Sequence, residues 1–409
     1  MQMGATENNV SVVPVHMLVW NTFLNDARVY NEAQTLQQAG YAVTVHALAY
    51  TGMPQAIEYL DNGVCVHRHG KVRSLPQPVA VAGKVAALKV ISRRLSVLCQ
   101  MAWAVIRSRP VVVHAHDVNI LPVGWLVARL CGAALVYDAH EISTHREGYR
   151  AIRNWVAWLE KRIMPRADGC ITTTNARAKF FARAYGIKRP LVLQNRPRLA
   201  ALEASDLIRN QLLLDKPWPI VLYQGGLQAG RGLPLLVRAA VMIPNAYFVF
   251  IGGGALAEKL HQLVEKSGVS DRVHFIDTVP LERLPAYTAS ADIGVQPIEN
   301  SCLNHFTTDS NKLFEYLMAG LPVVASQVPE ISRVLKRFNA GLLVPPGDGS
   351  ALKSAIAKLV DNYGLRKQLS ANARKASEAL NWDVQEEEFI DFYRCVAESA
   401  SVIKPSVPD

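Results

Sequence analysis

Nowhere does the chain of 409 residues hold an unbroken apolar run of the ~20 residues that a membrane-crossing helix requires. The first ten residues are polar and carry no apolar core, so no secretory leader is expected. The six cysteines (Cys65, Cys99, Cys131, Cys170, Cys302, Cys395) form no CxxC pair. They read as buried thiols in a reducing compartment, which excludes a disulfide or zinc framework. No internal repeat is present. These absences together predict a cytoplasmic protein, soluble or peripheral on the inner face of the cell membrane.

Acidic residues are also missing from residues 62–116, although the whole chain carries 34 of them and a net charge of +10. In and around that gap stand Arg68, Lys71, Arg73, Lys84, Lys89, Arg93, Arg94, Arg107 and Arg109. Residues 85–106 are apolar between the charges, so residues 68–109 fit a basic amphipathic helix lying on an anionic membrane. A buried helix with a solvated basic side explains the pattern equally well. Nucleic acid is not expected as a partner, because no recognisable binding module accompanies the charge.

A chain of this length is too long for one ordinary core, so two domains are expected. A strand at 15–20, a helix at 27–39 and a strand at 41–48 form a βαβ opening, which predicts a parallel sheet. Further strands are expected at 111–114, 135–137, 169–173 and 191–193. A helix at 151–166 is expected to pack Trp155 and Trp158 into the core. A connecting helix is expected at 200–214. A second set of strands follows at 220–223, 247–251, 272–276, 291–297, 323–325 and 341–344, with a last helix at 386–400.

The most informative stretch is 304–326, NHFTTDSNKLFEYLMAGLPVVAS. Leu313, Phe314, Leu317 and Met318 recur at helical spacing, with Asp309 and Ser310 at the N-cap and Gly320 at the end. A helix start offers bare N–H groups and partial positive charge, a natural seat for phosphate, and Lys312 adds a full charge. Glu315 lies three residues on; a bare surface ion pair with Lys312 is the plainer reading. Upstream, Gln224-Gly225-Gly226-Leu227-Gln228-Ala229-Gly230-Arg231-Gly232 follows a strand, where glycines let backbone approach a phosphate and Arg231 supplies charge. Gly252-Gly253-Gly254 follows another strand without the spacing of a dinucleotide fingerprint.

In the first half, Asn25, Asp26 and Arg28 sit in the first strand-to-helix turn, where open α/β sheets place ligands. A plain helix cap by Asp26 accounts for them almost as well. His114, His116 and Asp117 invite a metal reading, but no third or fourth ligand with outer support is visible in the sequence. His140 in Tyr137-Asp138-Ala139-His140-Glu141 ends a strand, and its imidazole is able to donate or accept a proton near neutral pH. Capping of the next helix by Asp138 or Glu141 is the alternative.

Residues 304–326 closely resemble the donor segment of family 4 glycosyltransferases of the GT-B fold, which reads roughly N-K-L-F-E-Y-x-x-A-G-x-P-V. The likeness spans about 15–393. It implies two Rossmann-like domains facing across a cleft: an acceptor domain at 1–197 and a nucleotide-sugar domain at 198–380. Residues 381–409 are then a terminal helix crossing back to the first domain, with a frayed tail. Lys312, Ser310 and Asn311 are implied to face the diphosphate of the donor, with Arg231, Gly225, Gly226 and Gly253. Glu315 is implied to take the ribose hydroxyls, and residues 277–280, with Val279, to take the base. His140 is implied to lie beside the reacting sugar, and Asn25, Asp26 and Arg28 to face the acceptor.

Many members carry a sugar-binding Glu where Thr307 stands here; Glu299 and Asp309 are the substitutes in reach. An Arg often stands at Gly226. The implied activity is a retaining, metal-independent transfer from a UDP- or GDP-sugar, with no cofactor, to a lipid-linked saccharide in envelope or exopolysaccharide synthesis. The alternatives are a non-catalytic sugar-nucleotide-binding homologue and a nucleotide-sugar 2-epimerase, for which His140 and Glu141 are a thin set.

Overall fold

A computed structural model describes residues 12–53, 55–70, 84–145 and 149–402. Lys71, Arg73 and the tail beyond residue 402 lie outside them. The first half builds an eight-stranded sheet from β1 (Pro14–Leu18), β2 (Ala42–Leu48), β3 (Ile57–Tyr59), β4 (Cys65–His69), β5 (Val112–His116), β6 (Ala134–Ala139), β7 (Gly169–Thr172) and β8 (Leu191–Val192). Its order is β3-β4-β2-β1-β5-β6-β7-β8, parallel throughout except for the β3–β4 pair. The second half builds a six-stranded parallel sheet from β9 (Ile220–Gln224), β10 (Tyr247–Ile251), β11 (Val273–Ile276), β12 (Ile293–Gln296), β13 (Val323–Ser326) and β14 (Gly341–Val344). Its order is β11-β10-β9-β12-β13-β14, so strand direction of travel reverses between β9 and β12. Loops leaving the carboxyl ends of those two strands diverge and open a crevice.

Helices cover both faces of each sheet, so the central strands are apolar on both sides and read as continuous Val, Ile and Leu runs. In the first half the helices are α1 (Ala27–Gln38), α2 (Lys84–Ser108), α3 (Leu121–Cys131), α4 (Arg153–Ile163) and α5 (Asn175–Tyr185). The terminal helix, Asp383–Val402, packs not on the second sheet but on the first. There Trp382, Phe389 and Tyr393 join the core of Val15, Val43 and Val136. Trp382 Nε1 donates to Thr35 Oγ1 at 2.9 Å, which fixes the crossing.

Three points need correction. The sequence reading missed β3 and β4, which are short and carry His and Arg in place of an apolar run. The helix expected at 200–214 is only Leu207–Leu212. Its first part is drawn out by tertiary partners: Leu199 N–H donates to Asp383 and Ser205 N–H to the Ala289 carbonyl.

Trp155 and Trp158 do not pack inward but are 59% and 57% exposed. Val156, Leu159, Glu160 and Ile163 take the buried face of α4, leaving the two rings opposite. Helix α2 divides its apolar residues between two sides. Val97, Met101 and Val105 are buried on the sheet, while Leu88, Ile91, Leu95 and Trp103 stay exposed.

Candidate active site

The helix Asn311–Met318 sits over the crevice at the strand-order reversal and buries Leu313, Phe314, Tyr316, Leu317 and Met318. Each such burial contributes about 1.5–3 kcal/mol, so the helix is held by packing rather than by propensity. Tyr316 pins it. Its hydroxyl donates to the Leu222 carbonyl at 3.1 Å and accepts from Gln224 N–H at 3.1 Å. The ring lies so close to β12 that a methyl group on Gly294 would fall 2.5 Å from it.

The helix begins without a side-chain cap. Ser310 takes the cap position with φ +56°, and Asp309 turns away to accept from Gln194 Nε2 at 2.7 Å. The expectation that Asp309 and Ser310 cap the helix is thus half right: Ser310 has the position and neither makes the bond. Leu313 N–H turns back to the Ser310 carbonyl at 3.1 Å, and no side chain takes the N–H groups of Asn311 and Lys312, at a backbone cost of about 1–3 kcal/mol for the positive φ.

Lys312 is buried at this start, and its Nζ donates to Ser310 Oγ at 3.2 Å. Among the described residues it makes no ion pair. Burial and the nearby Arg231 push its ammonium down to about 7, with Glu315 pulling the other way. The ammonium stands 5.3 Å from the Tyr223 ring centre and faces the loop after β9. A methyl group on Gly225 (φ +119°) would be 3.3 Å from Nζ. Arg231, half-buried, shares the neighbourhood closely enough to repel Lys312. Glu315 accepts from Gln224 Nε2, and Gln224 Oε1 accepts from Thr288 Oγ1 at 2.9 Å. Burial raises the Glu315 carboxyl above its usual range.

Gly253 belongs to a turn stacked directly on this loop. Leu227 N–H donates to the Gly253 carbonyl at 2.9 Å, and methyl groups on Gly252 or Gly254 would strike Gly225 and Leu227 carbonyls. The three glycines therefore back the first loop and are no dinucleotide fingerprint. Gly226 and Asn311 are exposed beside the crevice. Val279 is half-buried against the core, and Glu299 donates its backbone N–H to the Gly230 carbonyl.

In the first domain the reversal of strand order falls between β1 and β5, and His140 follows β6 next to it. His140 Nε2 lies 2.9 Å from Asp138 Oδ2, and Nδ1 lies 3.9 Å from Asp117. Burial opposes the imidazolium, but the two carboxylates outweigh it and push the group up to about 10. At neutral pH His140 is a cation and a proton donor, not a base.

Arg28 does not reach the cleft. It is buried and forked onto Asp138 at 2.7 and 2.9 Å, with Glu32 at 3.1 Å and the Leu193 carbonyl completing its set. Two residues in from the Asp26 cap, this side chain is on the buried face of α1, so Arg28 holds Asp138 rather than a ligand. Asp26 is the cap of α1, accepting from Val29 N–H at 3.2 Å, and also lines the cleft; Asn25 is exposed. His116 and His114 do have further ligand-type neighbours that the sequence concealed. Glu32, His114, His116 and Asp138 bring their ligand atoms within 4.8 Å of one another, with the Arg28 cation among them.

Thr307 and Asp309, expected near the sugar, are instead spent on joining the domains. Thr307 is buried, bonding back to the Leu303 carbonyl at 2.8 Å and facing Arg177 Nε at 3.4 Å. Arg177, from α5, also donates to the His140 and Asn304 carbonyls. Asn304 then mimics a strand: its side chain accepts from Ile142 N–H at 2.8 Å and donates to the Ile142 carbonyl at 3.1 Å. Arg177, Asn304, Gln224 and Thr288 carry no motif of their own and were missed; only their tertiary partners reveal them.

Between the domains lies a cavity of about 660 Å³ bordered by Phe23, Asp26, Tyr30, Leu284, Glu315 and Met318. Its walls are mainly apolar, with Glu315 at the second-domain side.

Two Rossmann-like sheet domains facing across such a cavity, with the last helix returned to the first, define the GT-B class of glycosyltransferase. The sequence comparisons agree. Residues 204–376 match the family described as glycosyl transferases group 1, and residues 26–197 match the glycosyl transferase 4-like domain. The chain belongs to the group 1, family 4 glycosyltransferases.

Among its relatives, a D-inositol 3-phosphate glycosyltransferase of Xylanimonas cellulosilytica is 25% identical over 69% of this chain and 71% of its own. A 2-deoxystreptamine N-acetyl-D-glucosaminyltransferase of Streptomyces fradiae is 27% identical over 64% of this chain and 66% of its own. Among solved structures, sucrose-phosphate synthase from Thermosynechococcus elongatus aligns with a TM-score of 0.78 at 20% identity, covering 95% of this chain and all of that one. HepE of Anabaena, solved with UDP-glucose, gives 0.71 at 17% identity, again over 95% and 100%. No helix among the described residues is long and apolar enough to cross a membrane.

Proposed function

We propose that this glycosyltransferase moves a sugar from a nucleotide-diphospho-sugar to a saccharide acceptor, retaining anomeric configuration and needing no metal ion. One observation carries the reading: a buried lysine that makes no ion pair among the described residues stands at a helix start with no side-chain cap, facing a glycine turn and a second cation. Such a place is costly when empty and is relieved by a diphosphate. As the sugar–phosphate bond breaks, negative charge grows on the leaving oxygen. Lys312, Arg231 and the helix N–H groups answer it in a water-poor crevice, where such stabilisation is strongest. Glu315, held by Gln224, is the ribose ligand. His140, held as a cation beside Asp138, is the first-domain group proposed to meet the sugar. Val279 backs the base.

UDP- and GDP-sugars are the donors proposed; the HepE complex with UDP-glucose supports the class. The acceptor proposed is a lipid-linked saccharide. The exposed Leu88, Ile91, Leu95 and Trp103 of α2, with Trp155 and Trp158 of α4, supply an apolar face amid Arg and Lys that suits an anionic membrane. A small polar acceptor is the second reading, favoured by the inositol phosphate and 2-deoxystreptamine named for the relatives.

The test is a thermal-shift screen over UDP-, GDP- and ADP-sugars, followed by transfer assays on lipid-linked and soluble acceptors with and without EDTA. Stabilisation by a UDP- or GDP-sugar and EDTA-resistant transfer are expected. No stabilisation by any sugar nucleotide would remove the proposal.

A further inference from the structure

Four histidines that the proposed reaction does not use gather on one face of the first sheet. Parallel register sets His46 of β2 beside His67 of β4, and strand alternation puts His69 on the same face two residues on. His16 of β1 completes the row, because it pairs with Thr44, two residues before His46. Ligand nitrogens of His46, His67 and His69 all lie within 4.8 Å of one another. His46 Nδ1 is 2.9 Å from His69 Nε2, while His46 Nε2 is 2.8 Å from His16 Nδ1. We propose that His46, His67 and His69 form a binding site for one divalent ion of the zinc class, with His16 as its outer support.

The geometry needs little change. Metal–nitrogen bonds of about 2.0–2.1 Å in a tetrahedron set neighbouring nitrogens about 3.3 Å apart, so the His46–His69 pair has only to open by a few tenths of an ångström. The ion would take the place of the hydrogen between those two nitrogens, and His69 would carry that hydrogen on Nδ1 instead, so that both rings stay neutral. His46 would then keep its other N–H for His16, which is how ligating histidines are usually oriented.

The donor set is all imidazole, which suits zinc, cobalt, nickel or copper and disfavours magnesium and calcium. His67 is half-buried, which gives an entry path and a place for a fourth ligand from water. The adjacent arginine points elsewhere: Arg68 alternates to the other face, pairs with Glu58 and lies over the Tyr50 ring. The cluster of Glu32, His114, His116 and Asp138 is a poorer host, because the Arg28 guanidinium already occupies its carboxylates.

The test uses untagged full-length protein stripped with a chelator, then titrated with Co(II) by absorbance and with Zn(II) by competition. One equivalent, a four-coordinate cobalt spectrum and a raised melting temperature are expected. His67→Ala, at a half-buried position, should keep the far-ultraviolet circular dichroism and lower affinity at least tenfold. His69→Gln should do the same, and His116→Asn should leave binding intact. No saturable binding by folded wild type, binding unchanged in His67→Ala, or binding lost only in His116→Asn would each overturn the proposal.

Discussion

The two walls of the cleft treat buried charge in opposite ways. In the first domain the charges that meet at Asp138 are paired: Arg28 forks onto Asp138, and Asp138 bonds His140, whose imidazolium the neighbouring carboxylates favour. In the second domain Lys312 and Arg231 repel one another beside an uncapped helix, and the nearest compensating carboxyl, Glu315, is turned onto Gln224. A matched network is already at rest and serves to hold shape. An unmatched one is strained until an anion arrives, and that strain is available for binding. The contrast is why the donor is proposed to sit on the second wall, whose electrostatics are incomplete without an anion.

Breaking the matched wall should have the largest effect. Asp138→Asn removes the one carboxylate that both the buried Arg28 guanidinium and His140 bond, leaving Glu32 and Asp117 as weaker partners. Removing one partner of a buried pair costs about 3–5 kcal/mol, to be read from urea unfolding. A loss below 1 kcal/mol would show that the first domain is not the matched network described.

On the unmatched wall, Glu315→Gln should weaken a nucleoside diphosphate roughly tenfold or more, as expected for a lost charge-assisted hydrogen bond of about 1.5–3 kcal/mol. Inorganic diphosphate should be affected less, because the ribose is absent. Equal losses for both ligands would reassign Glu315.

The pH dependence sharpens the contrast further. Lys312, flanked by Arg231, Glu315 and the Tyr223 ring, is about half protonated near pH 7 when the site is empty, whereas a bound diphosphate favours its charged form. Binding therefore takes up a proton as pH rises above 7, and affinity falls toward tenfold per pH unit until the bound lysine also titrates. Calorimetry in two buffers of different ionisation enthalpy reads the uptake directly. No uptake between pH 7 and 8.5 would mean that the lysine is already charged.

The smallest change concerns Ser310. Ser310→Gly relieves its positive φ and should leave stability level or raise it by up to about 1 kcal/mol, while removing the Oγ that steadies Lys312. A clear loss of stability would argue against backbone strain there.

Much of this was legible in the chain. The strand–glycine–helix punctuation and the spacing of Leu313, Phe314, Leu317 and Met318 are local, so the second domain and its donor helix could be placed by sequence. Lys312, Arg231, Gly225 and Glu315 were singled out and do converge. Legibility failed where a side chain's fate is decided across the fold. Arg28 and Asp309 look like cleft residues in sequence, yet partners 110 and 115 residues away claim them. Trp155 and Trp158 were misjudged because apolar character alone does not say which side of a helix faces inward. Arg177 and Asn304 give no local sign of joining the domains.

Calorimetric titration of the nucleoside diphosphate identified by the thermal-shift screen, against wild type, Lys312→Ala and Arg231→Ala, tests the account most directly. Each variant is expected to bind about 10- to 100-fold more weakly, with unfolding stability held or improved because a strained cation has gone. Unchanged affinity in both variants would contradict the claim that this wall of the cleft grips the diphosphate.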